Sequence, residues 1–146
     1  YWYMLAEYTV AGVASESKYA IELAREWMDS PEEMKAVCGW NTYTNYLSIH
    51  PDEELDIDEI RSRLNQVEST IHQERNRVRY AMNTFVIGVG AYVKELHEEA
   101  ILVADKIGKV DVNVGNTACK VPVATQYINK IAQKDKIGIK KKTAIC

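Results

Sequence analysis

RNRVRYAMNTFVIGVGAYVKELHEEAILVADKIGKVDVNVGNTACKVP, from Arg75 to Pro122, decides the fold of this 146-residue chain. Three arginines, Arg75, Arg77 and Arg79, open a helix that is apolar almost all round from Tyr80 to Val93, with Asn76 placed to cap it. A helix without a polar face has to pack on several sides, so this one lies inside. The next, Glu95 to Ile107, is apolar on one face and covers a core from outside, and Gly108 closes it as a C-terminal glycine. Beyond it Val110, Val112 and Val114 alternate with Lys109, Asp111 and Asn113, the pattern of a short extended segment, and Gly115-Asn116-Thr117 reads as a turn. This piece is expected to shield the apolar end of the helical stack.

The inside–outside pairing recurs upstream. Ile57, Ile60, Leu64, Val67 and Ile71 form a single stripe at spacings of three and four, preceded by the aromatic-rich stretch from Pro31 to Ser48. Sliding the chain by about 44 residues lays MKAVCGWNTY over VRYAMNTFVI, a period that belongs to stacked helical hairpins. Seven helices are predicted: Tyr1 to Ala14, Lys18 to Met28, Pro31 to Ser48, Ile57 to Ile71, Arg77 to Val93, Glu95 to Ile107 and Ala124 to Gln133. Ser30-Pro31-Glu32-Glu33 reads as a capping box and Asp56 as an N-cap. Gly88 and Gly90, inside a helix, are expected to let neighbouring helices approach closely. The fold class is therefore all-α, a helical-repeat solenoid with a short extended segment and a final helix; a plain antiparallel bundle of the same helices is the alternative. The helical domain is placed at 1–133 and a basic tail at 134–146.

Composition excludes more than it selects. Hydrophobic residues at 47% and charged residues at 27% are globular values. The longest apolar run, Phe85 to Val93, falls well short of the roughly 20 residues that span a bilayer, so no membrane association is expected. Cys38, Cys119 and Cys146 form no C-x-x-C pair, and His50, His72 and His97 are scattered, so neither metal nor cofactor is expected and a reducing cytoplasm fits. Trp2 to Val13 reads as helix interior from the first residues, which suggests that the chain begins inside a longer repeat array. The residues from 130 onward carry six lysines against Asp135, about +5, leaving the body at about −8. Lys140, Lys141 and Lys142 are candidate phosphate contacts, against the alternative of a solvated, frayed end.

The stretch from Arg75 to Pro122, with YWYMLAEYTVA at the front and CKVPVATQYINKI near the end, resembles the DNA alkylation repair family. The founding members are glycosylases built from HEAT-like repeats that act on alkylated purines in duplex DNA. The resemblance implies a concave face holding double-stranded DNA, no metal and a monomer. It also implies that Tyr3 and Glu7 stand at the positions of the family's aromatic residue and aspartate. There a carboxylate stabilises an oxocarbenium-like sugar while an aromatic face attracts the cationic base. The arginine of active members falls near Cys38 and Gly39, and a further tryptophan near Asn83 or Thr84, so both are missing. Trp40 is the candidate replacement for an aromatic surface. Arg75, Arg77 and Arg79 become DNA-backbone contacts or, alternatively, partners of Glu68 or Glu74. A glycosylase and a non-catalytic helical module binding DNA or protein are the two functions left open.

Overall fold

The computed structural model describes residues 3–145. Among these, seven helices and no strands are found. Helix α1 starts as a π-helical stretch, Leu5–Val10, and continues as α-helix over Ala11–Glu16; α2 is Ala20–Met28, α3 Glu33–Ile49, α4 Ile57–Thr70, α5 Asn76–Tyr92, α6 His97–Ile107 and α7 Ala124–Gln133. They form two rows. Helices α1, α3, α5 and α7 pack side by side in an inner row, and α2, α4 and α6 form an outer row against them.

The inner helices α3 and α5 are each 17 residues long and bear the core. Trp40, Tyr43 and Leu47 of α3 meet Val78, Met82, Phe85, Val86 and Val89 of α5, all of them at most 1% exposed. Phe85 stands edge-on to both Trp40 and Tyr43, at centroid distances of 5.2 and 5.9 Å. From the outer row Ile60, Leu64, Val67 and Ile71 close the core as the single stripe predicted for α4. Burying each such side chain contributes about 1.5–3 kcal/mol, which is why the stripe spacing fixes the rotation of α4.

Glycine spacing sets the interhelical distances. A Cβ on Gly88 would lie 2.6 Å from Thr44 Cγ2 of α3, and one on Gly90 would lie 2.6 Å from Ile128 Cδ1 of α7. The expected close approaches are thus present on both sides of α5.

Two caps differ from their sequence reading. Helix α3 begins at Glu33 rather than Pro31, and Ser30 Oγ accepts from Glu32 N at 3.1 Å without forming a capping box. Glu33 turns instead to the neighbouring helix, where its Oε1 accepts from Arg77 N at 2.8 Å, filling one of the free donors at the start of α5. Asn76 does not cap α5 either. Its amide ties the extended segment to the helix, donating to Asn113 O and accepting from Asn113 N. Asp56 does cap α4, accepting from Glu59 N at 3.0 Å, and Gly108 ends α6 at φ +56°.

Residues 134–145 bond to the helix ends. Gly138 N donates to Ala91 O, Lys141 N to Ser48 O, and Lys140 Nζ to Leu47 O while pairing with Asp52. These carbonyls lie in the last turns of α3 and α5, where helix ends carry partial negative charge that lysines offset. The strap then reaches α1, where Glu16 accepts from the Thr143 hydroxyl and from Ala144 N, bonds that hold the Glu16 carboxyl below its usual range.

Candidate nucleic-acid interface

Charge is divided between the rows. The outer helices carry eight of the 21 carboxylates, and a ladder of ion pairs runs along them: Arg25 of α2 with Glu59 of α4, Arg63 of α4 with Asp29 beyond α2, Arg61 of α4 with Glu99 of α6, and Lys106 of α6 with Glu68 of α4. Exposed pairs of this kind add little stability each. Their consequence is where the negative charge ends up. In the inner row, residues 36–49 of α3 and 80–92 of α5 contain no charged residue, and Ala124–Gln133 of α7 contains Lys130 and no acid.

A cleft of about 610 Å³ opens on the inner row, lined by Glu7, Tyr8 and Val13 of α1, Asn41, Thr44 and Asn45 of α3, Tyr80 and Thr84 of α5, and Lys141, Ala144 and Ile145 of the strap. Glu7 is the one carboxylate in that lining, and its side chain is 1% exposed. Arg77, the second residue of α5, grips it in a fork: Nε donates to Oε1 at 2.6 Å and Nη2 to Oε2 at 2.7 Å. The guanidinium lies between two rings, 4.2 Å from the centroid of Tyr3 and 4.5 Å from that of Tyr80. Burial alone would lower the Arg77 pKa; the hydrogen bonds and charge of Glu7 outweigh it, so the pKa stands above the usual arginine value. The result is a neutral, desolvated ion pair sandwiched by aromatics.

Tyr3 and Glu7 thus do converge on one partner, as their spacing of four requires, and that partner is Arg77 of the same chain. The sequence offered Glu68 and Glu74 as internal partners of the arginine cluster. Arg77 takes Glu7, Arg75 pairs with Glu74 and donates to Pro31 O and Ser30 O across the start of α3, and Arg79 donates to Asp111 O of the extended segment. Trp40 is fully buried against Phe85 and has no surface to offer a base. Lys140 is held by Asp52 and Leu47 O, whereas Lys141 and Lys142 are exposed, Lys141 on the cleft rim.

The positions at which the resemblance expects an arginine and a tryptophan are taken up by packing. An arginine at position 39 would start from a Cβ 2.3 Å from Met28 N, and Cys38 is buried, with its thiol pushed up to about 11 by that burial. Asn83 is fully buried and donates to Pro122 O at 2.8 Å, holding the loop before α7. His50, His72 and His97 each contact a main-chain carbonyl, of Tyr46, Ile107 and Gly90, and no three metal-ligating side chains gather among the described residues. No helix among those residues is long and apolar enough to cross a membrane.

A solved structure aligns with the whole of this chain at a TM-score of 0.91 and 34% identity, covering 62% of its own length. It belongs to a family of proteins related to the HEAT-like repeat DNA glycosylases, with affinity for branched DNA structures. The fold here is the HEAT-like helical repeat. Inner helices α1, α3, α5 and α7 and outer helices α2, α4 and α6 are then the two layers of that repeat, and the cleft lies on its inner layer. Two curated relatives are uncharacterized proteins of Listeria monocytogenes, 37% identical over 127 residues, and of Listeria innocua, 37% identical over 121 residues. The matches cover 87% and 83% of this chain, which spans about half the length of each relative. No family model matches.

Proposed function

We propose that this HEAT-like repeat protein binds DNA, branched DNA in particular, along its inner layer and without base excision. The observation that carries the reading is the bidentate Glu7–Arg77 pair, which neutralises the one carboxylate of the cleft lining. An acidic chain of net charge −3 meets a polyanion only if its acids are turned away. Here the inner-layer cleft has Glu7 as its one lining carboxylate, taken up by Arg77, while Lys130, Lys141 and Lys142 remain exposed on the inner layer and strap. The structural relative's affinity for branched DNA supports the same substrate class.

Equilibrium binding by fluorescence anisotropy tests this. A four-way junction is expected to bind more tightly than a linear duplex of the same length, with affinity falling as salt rises. Lys141→Ala/Lys142→Ala is expected to weaken both DNAs alike and to reduce the salt slope by about 2. No binding to either DNA, or binding indifferent to salt, would contradict the reading.

Excision of alkylated purine is the second reading, favoured by Glu7 lying in the cleft beside Tyr8 and Tyr80. It requires the Arg77 fork to open so that the carboxylate can face a cationic nucleotide. Release of methylated purine from duplex DNA by the wild type, lost in Glu7→Gln, would establish it in place of the first.

A further inference from the structure

The inner-layer cleft is too small for a duplex and well shaped for one nucleoside. Its volume, about 610 Å³, falls within the range of roughly 300–1,000 Å³ typical of small-molecule sites. Three kinds of group converge in it, and each answers one part of a nucleotide.

Two aromatic rings, Tyr8 and Tyr80, stand in the lining, and Tyr8 is 56% exposed although it belongs to the wall of a concave site. Tyr80 already carries the Arg77 guanidinium against its ring. Burial and the neighbouring Tyr80 and Glu7 hold the Tyr8 phenol above its usual range, so it stays neutral and able to donate. Two amides face the same space. Asn41 spends one donor on Glu7 O at 3.0 Å, leaving its carbonyl oxygen, and the Asn45 side chain has no partner among the described residues. An amide presents a donor and an acceptor side by side, the pattern on the pairing edge of a base. At the rim, Lys141 adds an exposed cation for a flanking phosphate, its ammonium 5.6 Å from the centroid of the Tyr92 ring.

We propose that this cleft is a pocket for a single unpaired nucleoside at a DNA branch point, stacked on Tyr8 and read by Asn45, an inference that rests on the DNA-binding function above. A paired base inside a stacked helix exposes only its groove edges, so it cannot reach both ring and amide. A base freed at a branch can.

The test compares two four-way junctions, one fully paired and one carrying an unpaired 2-aminopurine at the branch, by anisotropy and by 2-aminopurine fluorescence. Wild-type protein is expected to bind the second about tenfold more tightly, with the fluorescence quenched by stacking. Tyr8→Ala and Asn45→Ala, both at positions not fully buried, are expected to bring the affinity ratio of the two junctions towards one, with thermal unfolding checking that each variant folds. Equal binding of both junctions without quenching would overturn the pocket and leave the DNA-binding reading standing. Absence of binding to either junction would overturn both.

Discussion

Replacing Arg77 by alanine is expected to cost about 3–5 kcal/mol of unfolding free energy. The loss comes from what is left behind rather than from the pair itself. Glu7 is desolvated, and without the fork its charge has no partner within the inner layer. Removing both charges together is therefore expected to restore most of the stability: Glu7→Gln/Arg77→Met should unfold in urea near the wild-type midpoint, while Arg77→Ala alone unfolds far below it. A cost under about 1 kcal/mol for Arg77→Ala would mean that the carboxylate is solvated in solution, and the neutral cleft would no longer follow.

The second large effect belongs to Gly39. Its position on α3 faces the end of α2 so closely that an added Cβ would lie 2.3 Å from Met28 N and 2.7 Å from the Trp27 carbonyl carbon. Both are backbone atoms, which cannot rotate aside as a side chain does. Gly39→Ala is expected to cost about 3 kcal/mol or more, at the upper end of overpacking effects, because α2 has to move away from the core. Gly12→Ala provides the contrast. The nearest atoms there are 3.8 Å away, and alanine is the better helix former by about 1 kcal/mol, so that variant is expected to be neutral or more stable. Thermal unfolding of the two variants side by side checks the pair, and equal midpoints would contradict the packing described for α2 and α3.

Much of this architecture was legible in local pattern. The α4 stripe, the apolar α5, the Asp56 cap, the Gly108 stop and the bounds of α7 all depend on spacings of a few residues, which a helix converts directly into faces. What was not legible involves partners far apart in the chain. Glu33 looked like its own helix's cap residue but serves Arg77, and Asn76 looked like a cap but holds Asn113. Both are local-looking polar residues with a competing partner across an interface, and sequence spacing carries no sign of that competition.

The candidate site shows the same limit. The sequence marks Tyr3 and Glu7 as candidate reacting groups and Arg77 as a candidate phosphate contact, yet Glu7 and Arg77 are 70 residues apart and neutralise each other. In the sequence the tail likewise shows only its lysines. Its role as a strap depends on carbonyls at the ends of α3 and α5, which become free acceptors only once those helices end side by side. Tyr8 and Asn45, which line the cleft, carry no signal in the sequence, because an isolated tyrosine or asparagine in a helix has no distinguishing pattern.

Amide chemical-shift mapping during titration with a four-way junction decides whether DNA lies on the inner layer. Perturbed amides are expected in residues 7–13, 41–45, 80–84 and 141–145, with the outer helices α2, α4 and α6 unmoved. Shifts concentrated on α2, α4 and α6, with the cleft residues silent, would contradict that placement.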